Sequence, residues 1–306
     1  MHGVLSINKP PDITSHDVVV AVRKQFHTRK VGHAGTLDPF ATGLLLLCLG
    51  DATKISRYLS NCEKEYLAVM KVGEETDTQD VTGQIVQRVP VPDFSQTDIA
   101  GVFSQFQGDI AQTPPMYSAR RVQGKRLYEL ARQGKVVERQ AQRVHIERLH
   151  ILDISLPFIH FQVVCSKGTY IRTLAHDMGK TLGCGAHLTQ LQRTRIGEFR
   201  LADACHLEQL SAQALAPGVL IPLDKALSFF PEAILDDAAS TRLAHGVQIY
   251  ERATSGSIAG KQPEPEAQLV RVYDSSGTFI ALAQRTLIQQ EDGVYQQFRP
   301  VRVFAR

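Results

Sequence analysis

The chain is 306 residues long, 43% hydrophobic and 21% charged, a balance that excludes a disordered or collagen-like polymer and leaves room for two domains. Its net charge of +3 is too small to identify a partner by itself. The N-terminus, MHGVLSINKPPD, lacks a basic segment followed by an apolar run, and the longest apolar run, Leu44–Leu49, is far too short for a bilayer, so a cytoplasmic protein is expected.

Residues 14–27 carry the first helical signal. Thr14 and Asp17 have capping-box spacing, with Asp in the second role, and Val18, Val19, Val22 and Phe26 share one face. Segment 29–43, RKVGHAGTLDPFATG, reads as a rigid irregular loop, because its glycines permit unusual dihedrals and Pro39 fixes one. The run LLLLCLG behind it fits a buried strand or helix segment. KEYLAVMKVG, from Lys64, alternates loosely and reads as a strand. EETDTQDVTGQ, carrying Asp77 and Asp80, reads as a polar turn, and GQIVQRVPVP as extended chain. Residues 97–107 form a short amphipathic helix with Ile99, Val102, Phe103 and Phe106 in phase. The chain is then extended at Pro114 and Pro115 and becomes helical near Leu127. Two apolar stretches between Arg143 and Lys167 suggest paired strands, after which Gly168 leads into a helix with Ile171, Leu174, Ala175, Met178 and Leu182 at helical spacing and Gly183 as C-cap. Composition changes near Phe230. A helix over 234–245, a Gly/Ser/Pro-rich stretch 253–266 expected to be the most mobile segment, a hairpin around Asp274–Gly277 and a last strand in QQFRPVRVF make a small all-β module. Strands and helices alternate without a βαβ beat, so the fold class is α+β.

Five cysteines without a CxxC pair argue against a disulfide framework and a zinc site; Cys184 with His187 and Cys205 with His206 read as buried thiols and loop histidines. Between Ser118 and Arg148, nine basic residues meet three acidic ones, a local charge of +6 that leaves −3 for the rest of the chain. That is the footprint of a phosphate-backbone binder, or else a solvated helix face rich in Lys and Arg. Tyr117 and Tyr128 there could stack on bases or simply pack. Asp38 lies in a tightly specified loop braced against a core, where a functional side chain belongs, although an Asp before Pro also serves as a turn former or helix cap. The chain has no GxxxxGK[ST] and no GxGxxG, and no cofactor or metal is expected.

The string Gly32-His33-Ala34-Gly35-Thr36-Leu37-Asp38-Pro39 closely resembles the catalytic-aspartate motif of the TruB-type tRNA pseudouridine synthases. Ile7-Asn8-Lys9-Pro10, Lys64-Glu65-Tyr66, Thr76–Asp80 with Gly83, and Ser166–Ala175 resemble further motifs of the same family in the same order, the last continued by Gly183–Leu191 and Arg193-Thr194-Arg195. The resemblance covers most of residues 1–200 and is looser for the final segment, which looks like a PUA-type module.

The resemblance implies a catalytic domain over 1–230 with a mixed, largely antiparallel sheet, a PUA-like domain over 231–306, and a basic thumb over 118–148 that closes on the T-arm of tRNA. Arg120, Arg121, Lys125 and Arg126 would contact the RNA backbone. The implied reaction turns the T-loop uridine at position 55 into pseudouridine. It breaks N1–C1′ and makes C5–C1′ with no atom gained or lost and no redox change, so it asks for a carboxylate and a group that keeps it ionised. Asp38 would act as nucleophile or as base for a glycal-type intermediate, with Arg172 beside it offsetting burial. Tyr66 would stack on the uracil and its hydroxyl would help remove the C5 proton; Tyr170 and Leu191 would line the pocket; His33 would fill the gap left by a flipped base. Lys9, Lys54 and Asp80 would hold the loops or contact RNA. A monomer is expected, and an additional tRNA-folding role stays open. Two rivals remain: an RNA-binding or RNA-folding protein of the same shape without catalysis, and an aspartyl-phosphate enzyme, which would want a second Asp where Phe40 stands.

Overall fold

The computed structural model describes residues 1–118, 120–122, 124–131, 133–210, 219–252, 267–290 and 293–304. The Gly/Ser/Pro-rich stretch 253–266 and Arg132 of the basic segment lie outside them.

Strand β1 (Gly3–Lys9) opens the chain. Helix α1 (Ser15–Gln25) begins at a complete capping box: Thr14 Oγ1 accepts from Asp17 N at 3.0 Å, and Asp17 Oδ2 accepts from Thr14 N at 2.8 Å. Strand β2 (Val31–His33) pairs antiparallel with β3 (Thr42–Leu49). The segment 29–43 is therefore not irregular throughout, because Val31 enters the core and carries its neighbours into the ladder. The apolar run resolves as strand β3, buried along nearly its whole length. Helix α2 (Ser56–Asn61) leads to β4 (Lys64–Val72), and β5 (Glu74–Thr76) pairs with β6 (Ile85–Arg88) around the polar turn. Helix α3 (Gln96–Gln105) has its own capping box, Ser95 with Asp98, and buries Ile99, Val102 and Phe103. Strand β7 (Gly108–Gln112) precedes a small hairpin of β8 (Arg121–Val122) and β9 (Lys125–Arg126), which the sequence pattern did not signal, and helix α4 (Leu127–Ala131) follows.

Strands β10 (Gln142–Ser155) and β11 (Phe158–Cys165) pair antiparallel, as their apolar runs suggested. Helix α5 (Ile171–Leu182) ends at Gly183, in the left-handed region at φ 83°. Strand β12 (Ala186–Ile196) was not expected. Its register with β4 shifts between Leu188 and Gln190 and again between Arg193 and Arg195, and each shift breaks the two-residue alternation that marks a strand. Short strands β13 (Phe199–Arg200), β14 (Cys205–His206) and β15 (Leu220–Ile221) follow, then helix α6 (Leu223–Ala226). Strand β16 (Glu232–Ile234) ends at Ile234, the first residue of the segment expected to be helical. Helix α7 (Asp237–Ala244) begins only after Asp236, whose side chain caps it by accepting from Ala239 N at 2.7 Å. Strands β17 (Ile249–Arg252), β18 (Gln268–Tyr273), β19 (Phe279–Gln290) and β20 (Gly293–Val303) complete the chain.

The chain divides into two compact units: Leu5–Leu49 with Ser56–Leu220, and Met1–Val4 with Gly50–Ile55 and Ile221–Arg306. The larger unit holds a sheet in the order β14-β1-β3-β12-β4-β11-β10-β7. Strands β12–β4, β4–β11, β11–β10 and β10–β7 pair antiparallel, whereas β3–β12 and β1–β14 are parallel, so the sheet is mixed and largely antiparallel. Its inner face packs on α3 and α5 through Met70, Phe161, Leu174 and Met178, and α1 covers β1 and β3 through Val18, Val22, Leu45 and Leu47. At the β3–β12 seam Gly43 has φ +100°, and a Cβ there would lie 2.4 Å from the Arg193 carbonyl oxygen. The smaller unit holds a five-stranded sheet, β16-β18-β19-β20-β17, with Leu243 of α7 packed among Val270, Val272 and Phe298. It is β-rich rather than all-β.

Candidate active site

The loop after β2 is fixed from four directions. Ser15 Oγ on α1 accepts from Leu37 N at 2.8 Å and donates to Leu37 O at 3.0 Å. Lys9 Nζ, fully buried, donates to the carbonyls of Pro10, Ile13 and Pro39 at 2.8, 2.9 and 3.1 Å. Asp12 N donates to Pro39 O at 2.9 Å. From β12, Arg193 sends Nε to Leu44 O, Nη1 to Thr36 O and Nη2 to Gly35 O, at 2.8, 3.2 and 3.1 Å. An irregular loop cannot satisfy its own carbonyls, and these two buried cations do it instead. The result is a single position for Asp38.

Arg172, in the first turn of α5, faces that position. Its Nη2 donates to Asp38 Oδ1 at 3.2 Å, and its Nε lies 2.8 Å from Oδ2 as an ion pair not aligned for a hydrogen bond. Nη1 donates to Thr78 O and Asp80 Oδ2 at 3.0 and 3.1 Å, and Nη2 also to Tyr117 O at 2.8 Å. Asp80 is locked in turn by Thr78 and Thr82, which donate to its Oδ1. One guanidinium therefore serves two carboxylates. The Arg172 side chain is 4% exposed and that of Asp38 32%, so the acid looks into open space while its partner does not.

That space is a cavity of about 240 Å³ lined by Asp38, Tyr66, Tyr170, Arg172, Leu191 and Arg193, among others. Tyr170 is held by Gln112, which accepts from Tyr170 N at 2.7 Å and donates to Tyr170 O at 3.0 Å. Lys64, two residues before Tyr66 on the same face of β4, also lines the cavity, with Nζ donating to the carbonyls of Ser60 and Cys62. A larger cavity of about 440 Å³ shares Leu191 but has no carboxylate or permanent cation among its described lining residues.

The electrostatics follow from this enclosure. Burial pushes the Asp38 carboxyl above the usual range; Arg172 opposes that, and the charge of Asp80 adds to it. The net direction is upward, opposite to the expectation that Arg172 would prevail, because burial outweighs the guanidinium and the charge of Asp80 adds to it. Burial raises the Tyr66 phenol against the pull of Arg193. Lys9 and Lys64 are both lowered to about 8, chiefly by burial. Burial and the charge of Arg193 lower His33, so its ring stays neutral.

Of the residues singled out in the sequence, Asp38, Tyr66, Tyr170, Arg172 and Leu191 meet in one cavity. His33 does not line it; it lies on β2, half-buried, with Nδ1 unpaired among the described residues. Lys9 and Asp80 stand behind the wall, one holding the loop and the other holding Arg172. Lys54 belongs to the smaller unit, where Nζ donates to Val303 O at 3.2 Å and pairs with Asp51 at 3.4 Å. Arg120 is half-buried, Lys125 is exposed in the β8–β9 hairpin, and Arg121 and Arg126 contribute their backbone to that hairpin. Sequence reasoning passed over Arg193, Lys64 and Gln112. Arg193 and Lys64 lay inside quoted motifs; Gln112 carried no local signal.

Residues 23–171 match the family model "TruB family pseudouridylate synthase (N terminal domain)", and residues 172–228 match "tRNA pseudouridylate synthase B C-terminal domain". The chain is 45% identical over 288 residues to tRNA pseudouridine synthase B of Cupriavidus metallidurans, covering 92% of this chain and 90% of that one. It is 39% identical over 286 residues to the protein of the same name from Clostridium tetani, covering 94% and 96%. Among solved structures it resembles a chain of a Cbf5–Nop10–Gar1 complex, with a TM-score of 0.73 and 26% identity over 99% of this chain and 85% of that one.

Proposed function

The chain belongs to the TruB family of pseudouridylate synthases, and on that premise we propose that it isomerises uridine 55 in the T-loop of tRNA to pseudouridine, with Asp38 as the reacting carboxylate. The observation that carries this reading is the pairing of Asp38 with Arg172 in a cavity that Tyr66, Tyr170 and Leu191 also line. Both oxygens of Asp38 are oriented by one guanidinium, and the open side of the carboxylate faces the space a nucleoside would fill. From there it attacks C1′ or removes a proton to give a glycal; both routes start from the ionised acid.

The uracil, once free of N1–C1′, must turn so that C5 meets C1′. Tyr66 and Leu191 supply the flat and apolar surfaces between which it turns. The raised Tyr66 hydroxyl stays protonated near neutral pH, so it relays the C5 proton as a phenol rather than taking it as a phenolate. An enclosed site of this size admits a base only after it leaves its stack. Neutral His33 would fill the gap left behind without placing a charge among bases.

The basic segment 118–148 acts as the thumb, with Arg120, Arg121, Lys125 and Arg126 on phosphates, and the T-arm is read by the shape of its loop. Residues 1–230 form the catalytic domain and 231–306 a PUA-like module, and the protein works as a cytoplasmic monomer.

The test is release of tritium from C5-labelled uridine in unmodified tRNA, with wild type and Asp38→Asn side by side. Wild type should release it; Asp38→Asn should abolish release and keep tRNA binding near normal. Substantial turnover by the variant overturns the assignment of Asp38. Tight binding without release by either protein turns the reading toward an RNA-binding or RNA-folding role.

A further inference from the structure

Among the described residues that line the cavity, Ser118 is a buried polar side chain that the fold does not use. Ser118 is 5% exposed and lines the same cavity as Asp38, yet its Oγ has no hydrogen-bond partner among the described residues. A buried hydroxyl left unpaired is unfavourable, and native proteins seldom keep one unless a ligand or water meets it. Its backbone is pinned, because Tyr128 N donates to Ser118 O at 3.1 Å.

Its neighbours indicate what it meets. Ser118 follows Tyr117, whose carbonyl accepts from Arg172 Nη2, the nitrogen that also donates to Asp38 Oδ1. It therefore lies at the Asp38–Arg172 end of the cavity. Tyr66 and Leu191, from β4 and β12, supply the apolar surfaces that suit a base. On the functional reading above, Asp38 works at C1′, and the ribose hydroxyl closest to C1′ is the one on C2′. A serine hydroxyl donates and accepts, and so does that group. We propose that Ser118 Oγ hydrogen-bonds the 2′-hydroxyl of the target uridine and makes the cavity selective for ribose over deoxyribose. Ser118 also stands where the basic segment 118–148 begins, so placing that segment on RNA places the hydroxyl on the sugar.

The inference rests on the proposed activity, and the experiment separates the two. Wild type and Ser118→Ala are compared on a T-arm stem-loop with uridine or 2′-deoxyuridine at the target position, reading kcat/KM for pseudouridine formation and the melting temperature. Ser118→Ala removes an atom that bonds none of the described residues, so its melting temperature should be equal or higher. On the ribose substrate it should lose roughly three- to tenfold in kcat/KM, the size of one neutral hydrogen bond. Wild type should lose at least as much on the deoxy substrate, and Ser118→Ala should lose less on that change than wild type does. An unchanged kcat/KM for Ser118→Ala on the ribose substrate, or losses that simply multiply, overturns the role of Ser118 while leaving the activity standing. Wild type inactive on the ribose substrate overturns both.

Discussion

Burial of Asp38, opposed by an Arg172 charge that Asp80 shares, sets the pH at which Asp38 can work. Burial and the charge of Asp80 raise its carboxyl and Arg172 lowers it, so the acid limb of the rate profile should lie above the ordinary carboxylate range. Replacing Asp80 by Asn removes a repelling charge and leaves a side chain that can still accept from Nη1. The variant should move the acid limb of kcat/KM to lower pH, while kcat falls because Arg172 is held less firmly. A limb that stays in place or moves up would show that Asp80 only positions Arg172. The reverse change, Arg172→Lys, gives up the two-point grip on Asp38 and should move the limb upward. Asp38 and Arg172 were legible in the sequence as motif residues 134 positions apart; the second carboxylate at the same guanidinium was not, because sharing is a fact of three-dimensional reach.

Elements that announce themselves locally were the easiest to read. Helix α1 has its cap in Thr14 and Asp17, helix α5 its end in Gly183, and the β18–β19 hairpin its turn at Asp274–Gly277. Strand β12 failed the same test, since two register shifts in eleven residues remove the alternation a strand should show. Yet β12 brings Leu191 and Arg193 to the cavity and borders both β3 and β4. Its parallel seam with β3 depends on the missing side chain of Gly43. Gly43→Ala places a Cβ 2.4 Å from the Arg193 carbonyl oxygen at a φ of +100°, so strand separation adds to a backbone cost of about 1–3 kcal/mol. Urea unfolding should show the midpoint lowered accordingly, with activity falling further as Arg193 shifts. A variant within about 0.5 kcal/mol of wild type would deny the close approach.

Across the whole molecule charge is unevenly spread, with +6 in residues 118–148 against a total of +3. Removing Arg121, Lys125 and Arg126 together should weaken tRNA binding and lower the slope of log K against log salt by about 2–3, close to one for each phosphate no longer neutralised. An unchanged slope would place the RNA elsewhere. Charge can be counted from a sequence, whereas the cavity could not be, because its wall joins α5, β4, β12 and a loop held by Lys9 and Arg193. That assembly bears on how the chain matures. Strand β12 lies in the middle of the sheet but is synthesised after every strand from β1 to β11. Until residues 186–196 leave the ribosome, β4 lacks its β12 partner along its length and β3 lacks it at Thr42 and Gly43, although β2 already pairs with Leu47–Leu49. The loop carrying Asp38 waits as well, since Arg193 is part of what fixes it. The cavity wall is therefore incomplete in a growing chain until Leu191 and Arg193, its last lining residues in the sequence, are made.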